Sequence, residues 1–257
     1  MDPQLIKQMF ELEERHWWFC GRRKIVRHLV QKAVTTLGRE GQRLQICDLG
    51  VGAGLLLREL APGAEVYGLD QSPEALRAAR QRGLTNLAQG WLPDQVPYAA
   101  RSFDLILLLD VLEHIEDDRA ALHKAVSLLK DDGILICTVP AYRFLWSDHD
   151  TAHGHKRRYT RGLLGGLFTG LGGEIQILTY FNTLLFPLAL VQRLAQRCCR
   201  REPAAEPQLV ATPPGPLNLV LEWIFASERF LLPYLPLPFG LSVLCVFRLK
   251  PDFSSKK

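Results

Sequence analysis

A short apolar run, LQICDLG at residues 44–50, ends in an acid and passes into three glycines at alternate positions, Gly50, Gly52 and Gly54. This arrangement constrains the chain more than any other. A buried strand stops there, the backbone turns tightly, and a helical run, GLLLRELA (54–61), begins at once. A ligand can then lie directly against main-chain N–H groups. Asp70 closes the next apolar run, AEVYGLD (64–70), where a carboxylate can accept hydrogen bonds from both hydroxyls of a ribose. A dinucleotide loop wants GxGxxG, and its third glycine, counted from Gly50, falls on Leu55. The pattern DxGxGxG suits a different nucleoside ligand.

Beyond Asp70 the alternation continues. Ser72, Pro73 and Glu74 supply a cap, a first-turn proline and an acid, which predicts a helix through about Arg82. TNLAQG (85–90) reads as a third strand, FDLILLLD (103–110) as a fourth, residues 116–130 as a helix, DDG (131–133) as a turn and ILICTVP (134–140) as a fifth strand. Unbroken apolar runs of this kind belong to parallel strands covered on both faces. The expected fold class is therefore α/β, a doubly wound sheet.

Regularity fades after Pro140. Residues 141–159 read as a loop dense in His, Asp and Arg, RGLLGGLF (161–168) as a helix, GEIQILTYF (173–181) as a strand and LSVLCVFRLK (241–250) as a final strand. The stretch 183–240 lies between the last two and is rich in Leu, Pro and Arg. Residues 1–41 read as a basic, helical cap carrying His16-Trp17-Trp18-Phe19, and residues 42–250 as one domain.

Composition limits the alternatives. The chain has 257 residues, 47% hydrophobic and 23% charged, enough for one domain with a substantial core. A net charge of +4 is too mild to imply a nucleic-acid partner. The six cysteines show no metal-type spacing, so no metal is expected, and Cys47, Cys137 and Cys245 sit in strand-like runs as buried thiols. No signal peptide or spanning helix is expected, which points to a cytoplasmic protein.

DLGVGAG, VYGLDQSPEAL, LPDQVPYAARSFDLILLLDVLEHIEDD and DDGILICTVP follow one another in an order and spacing that resembles class I S-adenosylmethionine-dependent methyltransferases of type 11/12 over residues 44–140. The resemblance implies a Rossmann-like, seven-stranded fold with the N-terminal cap and a long insertion before the last strand. It also implies S-adenosylmethionine as cofactor. Asp48, Gly50, Gly52 and Gly54 would cradle the methionine half, and Asp70, with Gln71 beside it, would hold the ribose. Asp110 would border the amino-acid moiety and the reacting methyl. Glu113 and His114 would shape the next turn. The adenine side departs from the family: its usual acid is replaced by Trp91, followed by Leu92, with Asp94 as a nearby substitute. ERHWWFCGRRKIV (14–26) and H-x-R-R-Y (155–159) resemble a bacterial subgroup tied to polyprenyl, polysaccharide or polyketide pathways.

Methyl transfer from a sulfonium needs alignment and water exclusion more than it needs chemistry from the protein. Where the acceptor needs a base, His149, Asp150, His153, His155 and Tyr159 are the candidates, because their loop follows the fifth strand at the carboxyl edge. Trp18 and its aromatic neighbours could roof the sulfonium, and Arg22 could pair with the cofactor carboxylate. The expected activity is methylation of a small or lipid-like molecule. The alternatives are a quinone-ring or polyketide methylase and a non-catalytic partner subunit. In the insertion, Arg193, Arg197, Arg200 and Arg201 among leucines suggest peripheral contact with the inner face of a membrane, a homodimer interface being the other reading.

Overall fold

The computed structural model describes residues 12–191 and 212–251, apart from the side chain of His149. Seven strands form one sheet: β1 (Leu44–Leu49), β2 (Ala64–Asp70), β3 (Leu87–Gln89), β4 (Phe103–Leu109), β5 (Leu129–Pro140), β6 (Gly173–Phe181) and β7 (Ser242–Leu249). Their order is β3-β2-β1-β4-β5-β7-β6. The first five run parallel and β7 is antiparallel to both its neighbours, β5 and β6. The order reverses between β1 and β4, so a crevice opens at the carboxyl ends of these two strands, where α/β sheets bind ligands.

Alternation along the central strands divides the core into two layers. Leu105 and Leu107 of β4, Ile134 and Ile136 of β5 and Leu244 of β7 face one side. Ile106, Leu108, Leu135, Cys137 and Cys245 face the other. The helices that lie wholly within the described residues include α1 (Trp17–Thr36), α2 (Leu55–Leu60), α3 (Pro73–Gln81), α4 (Asp118–Ser127), α5 (Asp148–Ala152), α6 (Arg161–Leu167) and α7 (Gly215–Ser227). The first layer is covered by α1, α2, α3 and α7, the second by α4 and α6.

Most sequence-predicted elements stand within a residue or two of expectation. β5 differs. Residues 131–133 do not form a separate turn, and the strand begins at Leu129. Phe103 pairs with Leu129 but Leu105 pairs with Ile134, so Asp131, Asp132 and Gly133 bulge out of a continuous strand. The loop 141–159 also contains more structure than expected, including α5.

The N-terminal helix α1 is built into the core. Ile25, Val26, Leu29, Val30 and Ala33 of α1 are buried against the sheet. Within the insertion, α7 lies against α1: an added Cβ on Gly21 would come within 2.5 Å of the Phe225 ring, so glycine permits the close approach. Glu228 then anchors the chain after β6, accepting the backbone N–H groups of Asn182, Thr183 and Leu184 at 2.7–2.8 Å. Arg193, Arg197, Arg200 and Arg201, together with Cys198 and Cys199, lie outside the described residues. Cys20, Cys47, Cys137 and Cys245 are buried and free. No helix among the described residues is long and apolar enough to cross a membrane.

Candidate active site

The glycine loop forms where β1 ends beside β2. The N–H groups of Gly50 and Val51 donate to the Leu69 carbonyl at 2.8 and 3.0 Å, which pins the loop to the second strand. Gly50, Gly52 and Gly54 all have positive φ, at 101°, 55° and 74°. Side chains at the outer two would collide, with Val111 and Leu84 respectively. At Gly52 the only atom near an added Cβ is a Glu13 carboxylate oxygen, 3.6 Å away, so this glycine leaves space on the crevice side.

That space is a pocket lined by Phe19, Arg22, Asp48, Gly50, Gly52 and Leu109, with Glu13 at its edge. Asp48 is buried at the end of β1, and its Oδ1 has no hydrogen-bond partner. Burial, helped by the carboxylates of Asp70 and Glu13 and opposed by Arg22, pushes the Asp48 carboxyl up to about 8. An unpaired buried acid in a pocket lined by an open glycine fits a ligand that brings its own positive donor. The ammonium of S-adenosylmethionine is such a group.

Asp70 closes β2 and spans two backbone segments. Its Oδ2 accepts the Gly52 N–H and its Oδ1 the Ser72 N–H, each at 2.9 Å. Burial raises its carboxyl, against these backbone bonds. Each oxygen keeps a lone pair for a ribose hydroxyl. Gln71 is exposed beside it, with its carbonyl accepting from Gln89 at 3.3 Å. Trp91 is 45% exposed and stands at the start of a tight turn closed by paired backbone bonds with Gln95, while Leu92 beneath it is buried. Asp94 lies exposed on the same turn.

Asp110 follows β4 with φ 56°. Its carboxylate pairs with Arg22 and accepts the Thr138 hydroxyl at 3.2 Å. Arg22 lines the pocket, and its guanidinium is committed to Asp110 in this structure. The Trp18 ring lies 4.7 Å from that guanidinium and Phe19 lines the pocket, while Trp17 turns to Phe225.

The histidine loop splits into distinct positions. Asp150 is fully buried and accepts Arg158 through both oxygens at 2.7 and 3.0 Å, the Ser147 N–H at 2.8 Å, and His155 Nδ1 at 2.9 Å. It orients its neighbours and is not open to an acceptor. His155 in turn meets the His114 ring edge to face at 4.7 Å, with the His153 ring 6.3 Å away. Tyr159 is buried and its hydroxyl donates to Asp118 at 2.8 Å, so that group is engaged within the fold. His149 lies on α5, and its side chain is outside the described residues. Two features escaped the sequence reading: Glu13, which lies just ahead of the ERHWWF stretch, and the complete burial of Glu113.

Residues 47–137 match the family model of the methyltransferase domain. A ubiquinone biosynthesis O-methyltransferase of Cereibacter sphaeroides (strain ATCC 17025) is 35% identical over 102 residues, 38% of this chain and 41% of the relative. One from Vibrio campbellii is 29% identical over 147 residues, 52% and 60% of the two chains. The chain thus matches about half the length of these curated relatives. Among solved structures, a SAM-dependent methyltransferase from Thermotoga maritima superposes with a TM-score of 0.55 at 17% identity, covering 95% of this chain and 98% of the other. A chain from the complex of the Haloferax volcanii Trm112 methyltransferase activator with a methyltransferase gives 0.57 at 20%, covering 97% and 96%. The protein carries a class I methyltransferase domain on the Rossmann-like, seven-stranded methyltransferase fold. That family and fold use S-adenosylmethionine as methyl donor.

Proposed function

We propose that this protein transfers the methyl group of S-adenosylmethionine to a small, lipid-like acceptor, with a ring hydroxyl of a quinone-type molecule as the favoured target. The observation that carries the reading is the unpaired Oδ1 of buried Asp48, in the pocket that Gly52 also lines. Asp48 and the three glycines would hold the methionine half, Asp70 the ribose, and Trp91 with Leu92 the adenine. Phe19 and Trp18 would close over the sulfonium, and Arg22 would keep Asp110 in place beside the methyl. The acceptor would enter past His114 and His155. The curated relatives, named for O-methylation in ubiquinone biosynthesis, supply the acceptor class.

The insertion supports a greasy substrate. On and after α7, Leu219, Val220, Trp223 and Tyr234 are exposed, Trp223 by 74% and Tyr234 by 75%. Large clustered apolar exposure of this kind usually meets a partner. We assign that surface to peripheral contact with the inner face of a membrane.

The test is incubation of purified protein with labelled S-adenosylmethionine and a panel of prenylated catechols and hydroxyquinones. Transfer of label into an acceptor is expected. Slow cofactor turnover with no label in any acceptor of this class would contradict the assignment of substrate.

A further inference from the structure

Glu13 stands ahead of α1, far in sequence from the glycine loop, yet it lines the same pocket as Gly52 and Asp48. Its Oε1 lies 3.6 Å from the position a Cβ on Gly52 would take, and no other atom comes within 4 Å of that position. The open side of the central glycine therefore faces one carboxylate oxygen.

Glu13 is held there from two directions. Its Oε2 accepts Arg82 Nη1 at 3.2 Å, and the same nitrogen donates to the Ala53 carbonyl, inside the glycine loop, at 2.8 Å. The Glu13 backbone carbonyl accepts Arg23, a pocket residue of α1. One guanidinium thus ties the acid to the loop it faces, and another ties it to the helix that forms the opposite wall. Oε1 accepts no hydrogen bond from any described residue. The carboxyl is raised by burial and opposed by the positive charges of Arg82, Arg22 and Arg23, and a cation arriving in the pocket favours its ionised form.

S-adenosylmethionine carries an ammonium, a carboxylate and a sulfonium, and so has a net positive charge. Loss of the methyl group turns the sulfonium into a neutral thioether, which leaves the product with no net charge. The unpaired oxygen of Asp48 suits the ammonium, which both forms share. A second acid on the pocket wall responds to the charge that the donor alone has. We propose that Glu13 is a cofactor-contacting residue that favours the charged methyl donor over its neutral demethylated product. The nearby cations do not cancel this preference, because Arg22 is paired with Asp110 and Arg23 with Glu59. The inference rests on the cofactor assignment proposed above and adds a residue and a role to it: the pocket loses attraction for its ligand once the methyl group has gone, which favours release of the spent cofactor.

The test is calorimetric titration of the full-length chain with S-adenosylmethionine and, separately, with its demethylated product. Glu13→Gln keeps the size of the side chain and an oxygen for Arg82 but removes the charge. It should lower affinity for the donor about tenfold and leave affinity for the product within about twofold. Asp48→Asn should lower both alike. Glu14→Gln should leave the donor-to-product ratio unchanged, since Glu14 accepts the same Arg82 at 2.9 Å but does not line the pocket. Wild type that binds neither ligand overturns the pocket assignment and this inference with it. Wild type that binds both, with Glu13→Gln weakening both equally or neither, overturns the inference alone. If circular dichroism shows Glu13→Gln unfolded, the wild-type ratio at low and high salt decides: a ratio that falls as salt rises supports the inference, and a constant ratio overturns it.

Discussion

Trp17 and Asn218 are 201 residues apart in sequence and hydrogen-bonded: the Trp17 N–H donates to Asn218 Oδ1 at 2.9 Å. Asn218 Nδ2 also donates to the Arg15 carbonyl at 2.8 Å. One amide in the insertion thereby satisfies both a first-turn donor of α1 and a carbonyl just ahead of it. Since α1 carries Phe19 and Arg22, this contact joins the insertion to the pocket wall.

Asn218→Ala removes both bonds and leaves a partly buried N–H and carbonyl without protein partners. A loss of about 1–3 kcal/mol in unfolding free energy is expected, together with weaker binding of S-adenosylmethionine because the pocket wall loosens. Denaturant melts read the first and calorimetry the second. Wild-type stability in the variant would show that the contact carries no weight.

Asp70→Ala should weaken cofactor binding about tenfold or more, equivalent to roughly 1–3 kcal/mol for lost acceptors. The variant also frees the N–H groups of Gly52 and Ser72, so a small drop in melting temperature should accompany it. Unchanged affinity would separate Asp70 from the ribose.

Asp48 predicts a pH signature. Its carboxyl is raised from 3.8 to about 8, chiefly by burial, so the folded protein without ligand favours the protonated acid. The resulting stability is present in full below about pH 4 and declines as pH rises through 8. Asp48→Asn should flatten that decline. A cofactor ammonium would ionise the acid, so binding near pH 6–7 should release a proton, visible as calorimetric heats that change with buffer ionisation enthalpy. Equal heats in all buffers for wild type would contradict this role.

The apolar surface after α7 can be tested directly. Replacing Leu219, Val220 and Trp223 together by Ser should lower binding to anionic vesicles without changing the melt, since all three are more than half exposed. Vesicle binding that is absent in wild type at low salt would remove the membrane assignment.

The parts legible in the sequence are those whose physics is local. β1, β2 and β4 announce themselves because parallel strands covered on both faces leave no polar alternation, and the glycines because only they tolerate the left-handed turn. β5 begins earlier than its sequence suggests: Asp131, Asp132 and Gly133 have turn chemistry, yet a bulge accommodates them within the strand. The partner of Arg22 and the burial of Glu113 are not legible in the sequence. Arg22 finds Asp110 only when α1 crosses the sheet, and Glu113 is sealed by a loop forty-odd residues onward, so no spacing rule connects them. Asp150 similarly read as a possible base, whereas its burial and five hydrogen bonds make it the fixed point of the histidine loop.

The most direct measurement is calorimetric titration of wild type and Gly52→Arg with S-adenosylmethionine and its demethylated product. At Gly52 the added side chain would fill the space left beneath Glu13, on a backbone already at φ 55°. Wild type should bind one molecule of either ligand per chain, and the folded variant should bind neither. Wild type that gives no heat and no thermal shift with either ligand would contradict the assignment of this pocket.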